Sequence, residues 1–274
     1  DAGDMLRFTM LETLREFGQE QLRRADEWQA TQLRMADYFV ALAEATDAQL
    51  FPKHSQTAAP YQTLMKEYGN MRAVLDWVLV WKDADRAVRM SAALTEAWLN
   101  NLRDGERITS AVMALAEDLP PSTALIDLNV VAGLCARLHG KADAVRAFGQ
   151  RALDVAAALG DEQASTSRLS LALRMVAWTL FDQGDYAAAK AYHARLEQLV
   201  SGPGKEWELA MYLNNAAKMA LRLGNFERAT ALIHESLHLH RLVGDIWGLL
   251  KALADLAELH ATTGQLELAG AVLA

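Results

Sequence analysis

Gly184-Asp185-Tyr186-Ala187-Ala188-Ala189, Gly224-Asn225-Phe226-Glu227-Arg228-Ala229 and Gly264-Gln265-Leu266-Glu267-Leu268-Ala269 repeat one six-residue phrase at intervals of 40 residues. A glycine breaks a helix, a polar residue follows where a new helix begins, and an alanine recurs at the same offset. A second set of breaks keeps the same phase. Gly160-Asp161 and Gly244-Asp245 lie 84 residues apart, as do Gly140 and Gly224. A fixed period of this length, with helical apolar spacing on either side, is the signature of stacked antiparallel helix pairs. Such stacks present surfaces for binding rather than chemistry.

Composition agrees with an all-α chain. Of 274 residues, 52% are hydrophobic, only five are proline, and long Ala/Leu/Arg/Glu stretches carry helical spacing. The net charge of −8 argues against a nucleic-acid backbone as direct partner. One cysteine, Cys135, excludes an internal disulfide and fits a reducing compartment. No apolar stretch is long enough to span a membrane, and no leader opens the chain. The expectation is a cytoplasmic protein. Both ends look cut, which points to a fragment of a longer polypeptide.

Along the chain, Met5–Met10 reads as a last strand and Leu11–Arg24 as a helix. Helices are expected over Trp28–Leu50, Tyr61–Trp81, Ala84–Asn101 and Glu106–Leu119, closed by Pro120-Pro121. Ser122 is a good N-cap for a helix ending at His139, paired with Ala142–Leu159. Then follow Glu162–Gln183 with Asp185–Val200, Lys205–Leu223 with Asn225–Val243, and Asp245–Thr263 with Gln265 onward. The organisation is thus a remnant and linker helix over 1–25, an irregular helical region over 26–121, and regular repeats over 122–274, the last truncated.

The later pattern resembles the tetratricopeptide repeat, with longer helices than that family's usual unit. In the family a small residue sits where paired helices cross, matched by Ala177, Ala217 and Ala257. The resemblance implies a superhelical solenoid in which Tyr186, Phe226 and Leu266 plug gaps between hairpins and Ala189, Ala229 and Ala269 permit close approach. The unit around Gly140 departs from the phrase, with Lys141-Ala142 in place of the polar-aromatic pair.

The earlier region carries a second resemblance. Arg7-Phe8-Thr9-Met10-Leu11-Glu12-Thr13-Leu14-Arg15-Glu16-Phe17, Ala36-Asp37-Tyr38-Phe39, Gly69-Asn70-Met71-Arg72-Ala73-Val74-Leu75-Asp76-Trp77 and Ala97-Trp98 follow in order. They resemble the stretch joining the winged-helix part of bacterial STAND-type regulators, of the LuxR and AfsR/SARP families, to a C-terminal repeat sensor. The resemblance implies a transcriptional regulator whose ATPase core and DNA-binding domain lie outside these residues. No GxxxxGK[ST] loop occurs, so neither nucleotide hydrolysis nor a cofactor is expected of this fragment.

Candidate sites follow from the repeat phase. Carrying the family's concave face over selects Arg137, Arg174, Trp178, Asn214, Lys218, Arg222 and Glu258 as a cationic stripe with an aromatic wall. Arginine and asparagine give directed hydrogen bonds to anions, so the expected partner is a protein, a peptide or a small anionic effector. The bland alternative is a solvated helix face. His234-Glu235-Ser236-Leu237-His238 matches HExxH, which places two histidines on one helical face with a carboxylate to polarise a metal-bound water. It falls inside a repeat helix with no sheet beside it, so a zinc hydrolase is the remote alternative and weak adventitious binding by His234 and His238 the milder one. Cys135, among Leu134, Ala136 and Leu138, reads as a buried structural thiol. Trp207 and Trp247, 40 residues apart, read as repeat packing. The remaining alternative is a scaffold that self-associates through exposed end hairpins.

Overall fold

The computed structural model describes residues 10–50, 58–160 and 164–273, and within them the chain is helical throughout, with no strand. The expected strand at Met5–Met10 lies almost wholly outside the described residues. The helices are α1 (Glu12–Arg24), α2 (Trp28–Leu50), α3 (Ala58–Val80), α4 (Ala84–Ala93), α5 (Thr95–Asn100), α6 (Leu102–Leu115) and α7 (Thr123–Leu138). They continue as α8 (Ala142–Leu159), α9 (Thr166–Asp182), α10 (Tyr186–Val200), α11 (Glu206–Arg222), α12 (Phe226–Val243), α13 (Ile246–Thr262) and α14 (Leu266–Leu273). From α7 onward they form consecutive antiparallel pairs, each packed on the next. No helix among the described residues is long and apolar enough to cross a membrane.

The repeated phrase builds the same turn each time. Gly184 adopts φ 82°, its amide donates to Phe181 O at 3.0 Å, and the Asp185 amide donates to Leu180 O at 2.9 Å. Only glycine takes that left-handed conformation without a Cβ penalty. Asp185 then accepts from the Ala188 amide at 3.1 Å and caps α10. The Gly140 turn, although its sequence departs from the phrase, closes identically, with Gly140 N to Arg137 O and Lys141 N to Ala136 O both at 3.0 Å. Ser122 caps α7 through the Leu125 amide, as its position predicts. Ala177, Ala189, Ala217 and Ala229 are fully buried at helix crossings, with Ala257 and Ala269 nearly so. The residues expected to plug gaps do not: Tyr186, Phe226 and Leu266 are exposed, because the position after the N-cap faces outward. Tyr186 keeps one ring contact, with Phe181 at 5.1 Å.

Before α7 the packing is less regular. The single helix expected over Ala84–Asn101 is broken at Leu94, and the following helix starts at Leu102 rather than Glu106. The break sinks Trp98 completely into the core, where its Nε1 donates to Ser91 O at 2.9 Å. Gly105 lets α6 press onto it; a Cβ there would stand 2.8 Å from Trp98 Cβ. Two hydrophobic clusters meet at α7. Leu125, Leu128, Val131 and Cys135 belong to the earlier one, and Ile126 and Val130 to the later one. Cys135 is buried, which pushes its thiol up to about 11.

A charged clasp reinforces this junction. Arg168 on α9 is only 3% exposed, reaching Asp47 on α2 at 2.6 Å and Asp127 on α7 at 3.3 Å. Burial pushes Asp127 up to about 6 against the pull of Arg168, and the charge of Asp47 adds to the rise. Breaking a buried pair leaves an uncompensated charge. Arg168→Met is therefore expected to lose about 3–5 kcal/mol in urea unfolding at pH 7. The loss should shrink as pH falls from about 8 to 6, because Asp127 without the pull of Arg168 takes up its proton above about pH 6.

Candidate functional site

The first helices of successive pairs line a cavity of about 410 Å³. Arg137 enters from the end of α7, Arg174 from α9, Lys218 from α11 and Lys251 from α13, with Lys141 at the Gly140 turn. The wall between them is apolar and sulfur-rich: Leu134, Leu171, Met175 and Met211, with Trp178 at one side. Asp182 is the one carboxylate among the lining residues.

The cations differ in how they are satisfied. Lys141 pairs with Glu106. Lys218 stands 3.4 Å from Asp255 and 3.7 Å from Glu258. Arg222 pairs with Asp182 and lies over the Trp178 ring, 5.1 Å from its centroid. Arg137, Arg174 and Lys251 have no hydrogen-bonded or ion-paired carboxylate among the described residues. Arg174 is largely buried, and its Nη1 is shut from solvent without a hydrogen-bond partner among the described residues. Burial, then the charge of Arg137, pulls its pKa down to about 10, with Glu208 opposing. Burial, then Arg174, brings Lys251 down to about 8; Asp255 opposes, while Arg137 and Lys218 add to the fall. The cluster thus holds more positive charge than the protein neutralises.

Of the residues singled out by sequence, Arg137, Arg174, Trp178 and Lys218 are brought together here, while Arg222 and Glu258 form ion pairs with two of the lining residues. Asn214 is a correction. It is 1% exposed and turned into the core, accepting from Ser236 Oγ and donating to His240 Nε2 at 3.1 Å. The lining row on α11 is instead Met211, Asn215 and Lys218. Asn214 occupies the place of Arg174 one repeat on, but lacks the length to reach the cavity. Lys251 was missed, although Leu171, Met211 and Lys251 recur at 40-residue intervals and all line the cavity.

The network around Asn214 joins three helices. His240 Nδ1 lies 3.1 Å from Asp245 Oδ2, off the line of a good hydrogen bond. Trp207 Nε1 donates to the same carboxylate at 2.9 Å, and Asp245 caps α13 through the Gly248 amide. Burial would raise Asp245, but the adjacent His240 ring, the Gly248 amide and the Trp207 indole bring it down to about 2. Ser236 is fully buried and shares its hydroxyl between Ala210 O and Asn214, so this Ser/His/Asp grouping is a structural node. Trp247, expected to pack like Trp207, is instead 70% exposed. His234, Glu235 and His238 face solvent on α12, and Glu258 is drawn to Lys218. Among the described residues no three His, Cys, Asp or Glu side chains converge on a metal position.

Two substitutions check this geometry. A Cβ on Gly248 would stand 2.0 Å from the His240 ring and 2.5 Å from Asp245 Oδ2. Gly248→Ala is expected to cost about 1–3 kcal/mol in chemical denaturation. Lys251 binds its proton less tightly folded than unfolded, so its charge opposes folding below about pH 8, and the opposition fades as pH rises towards 10.5. Lys251→Met should therefore raise the melting temperature at pH 7, and the gain should vanish near pH 10 in a pH series.

No family model matches the chain, and no curated protein matches it in sequence. Among solved structures, its fold is similar to that of the apo form of the quorum sensor NprR from B. thuringiensis. The likeness has a TM-score of 0.60 and covers 94% of this chain and 70% of that one, at 13% sequence identity. It is a likeness of fold: a regularly paired helical-repeat architecture.

Proposed function

We propose that this chain is the non-catalytic sensor arm of a transcriptional regulator, and that it receives an anionic effector or peptide in the cavity between its first helices. The observation that carries this reading is the convergence of Arg137, Arg174 and Lys251 with no hydrogen-bonded or ion-paired carboxylate among the described residues, Glu208 and Asp255 acting only from a distance. A protein gains nothing in stability by crowding unpaired cations into a half-buried cavity; an anion there offsets their repulsion and the burial of Arg174. The cavity volume falls in the range of small-molecule and short-peptide sites.

The regulatory half of the reading rests on the resemblance of Arg7–Phe17 and the later segments to STAND-type regulators. A helical-repeat fold shared with a quorum sensor supports it in kind. Because the cavity draws residues from α7, α9, α11 and α13, an occupant bridges four consecutive pairs. Its binding energy then favours one curvature of the array over others, which is how such an arm would report to a neighbouring module of a regulator. No cofactor enters this scheme.

Isothermal titration at low ionic strength, with tetraglutamate and inorganic phosphate as generic anion probes, tests the reading. At least one should bind, more weakly as salt is added, and Arg174→Met or Lys218→Ala should weaken it about tenfold or more. Absence of binding by both probes, or affinity indifferent to both substitutions, would remove the cavity from consideration.

A further inference from the structure

We infer that the cavity is selective for a small phosphomonoester carrying an apolar or aromatic body, its phosphoryl group held by Arg137, Arg174 and Lys251. This deepens the reading above and rests on it. Three features of the site select this chemistry over a carboxylate.

The first is charge. Three cations without an ion-paired or hydrogen-bonded carboxylate among the described residues converge, Lys218 adds to the field, and Glu208 and Asp255 offset it only in part. A carboxylate brings one negative charge and leaves most of that repulsion in place. A phosphoryl group brings between one and a half and two near pH 7. The second is geometry. The cations arrive on separate helices, α7, α9 and α13. A carboxylate offers two oxygens in one plane, well matched to a single guanidinium fork. A phosphoryl group offers three terminal oxygens splayed in three directions, and so can accept from donors on different helices at once. The solvent-shielded Nη1 of Arg174 is the donor the site leaves without a partner.

The third is the remainder of the wall. Leu134, Leu171, Met175 and Met211 line the same space as the cations, beside Trp178. Trp178 is steadied by Arg222, which is itself held by Asp182. A bare phosphate ion would leave that surface facing water; an apolar body attached to it would cover the wall. The methionines adapt to the shape of such a body, and their sulfurs suit an aromatic ring. A volume of about 410 Å³ accommodates one phosphoryl group with a ring-sized substituent.

Calorimetric titration of the chain with phenyl phosphate, inorganic phosphate, benzoate and tetraglutamate separates the terms. Phenyl phosphate is expected to bind about tenfold more tightly than benzoate and than inorganic phosphate. Lys251→Met and Arg137→Met should each weaken phenyl phosphate about tenfold while leaving the helical circular-dichroism spectrum unchanged. Arg137 is exposed, so its removal leaves the core intact should Lys251→Met perturb folding. Proton uptake on binding at pH 8 to 9, read by comparing buffers of different ionisation enthalpy, should accompany phenyl phosphate and disappear in Lys251→Met. The groups facing Lys251 that set this coupling are Arg174, Arg137, Lys218 and Asp255. Benzoate or tetraglutamate binding as tightly as phenyl phosphate would overturn the phosphoryl preference and leave the anion cavity standing. Inorganic phosphate equalling phenyl phosphate would overturn the role of the apolar wall. No binding by any of the four would overturn this inference and the cavity together.

Discussion

Everything in the later part of this molecule depends on one tight turn. A helix ends on a glycine with positive φ, and the next helix starts two residues later. That turn sends the chain back antiparallel at close range, and alanines at fixed offsets let the two helices approach. Because the turn recurs in nearly constant phase, the same positions of each first helix face the same way. Leu171, Met211 and Lys251 line one cavity for that reason alone. The cavity is a by-product of a backbone constraint repeated at a fixed interval.

Charge is used in two opposite ways within this frame. At Arg168 the protein places a buried cation between two carboxylates of distant helices and so ties the irregular early region to the repeats. Around His240 and Asp245 it builds a buried polar node in which Trp207, Asn214, Ser236 and Asp245 are hydrogen-bonded across three helices. In the cavity it does the reverse: burial and mutual repulsion outweigh the pull of Glu208 on Arg174 and of Asp255 on Lys251. The clasp is ion-paired, whereas Arg137, Arg174 and Lys251 in the cavity have no hydrogen-bonded or ion-paired carboxylate among the described residues. That contrast, within one chain, is the strongest local reason to read the cavity as a site.

The fold itself says little about what is bound. Helix-pair solenoids serve many partners, and a shared architecture at low identity transfers no ligand. What distinguishes this chain is a combination of a sulfur-rich apolar wall, one tryptophan steadied by an arginine, and an excess of cations. The HExxH letters show the opposite lesson. A short string with the right side chains becomes a site only if the helix turns them toward a shared point, and α12 turns His234 and His238 to solvent.

By itself the sequence determined the class, the period and most helix boundaries, because glycine, helix caps and apolar spacing act locally, through φ and through the 3.6-residue turn. It also placed Arg137, Arg174, Trp178 and Lys218 on a shared side, since a repeat carries one phase forward. The tertiary structure alone decided where that phase is offset by a residue. Asn214 and Arg174 are equivalent in sequence, yet the short amide is claimed by His240 and Ser236, whereas the long guanidinium extends into the cavity. It alone decided that Trp98 breaks its helix to reach the core and that Arg168 meets Asp47 across 121 positions. It alone showed which cations have no ion-paired carboxylate among the described residues. Those outcomes depend on side-chain reach and on contacts between residues far apart in the chain, and neither is encoded in local spacing.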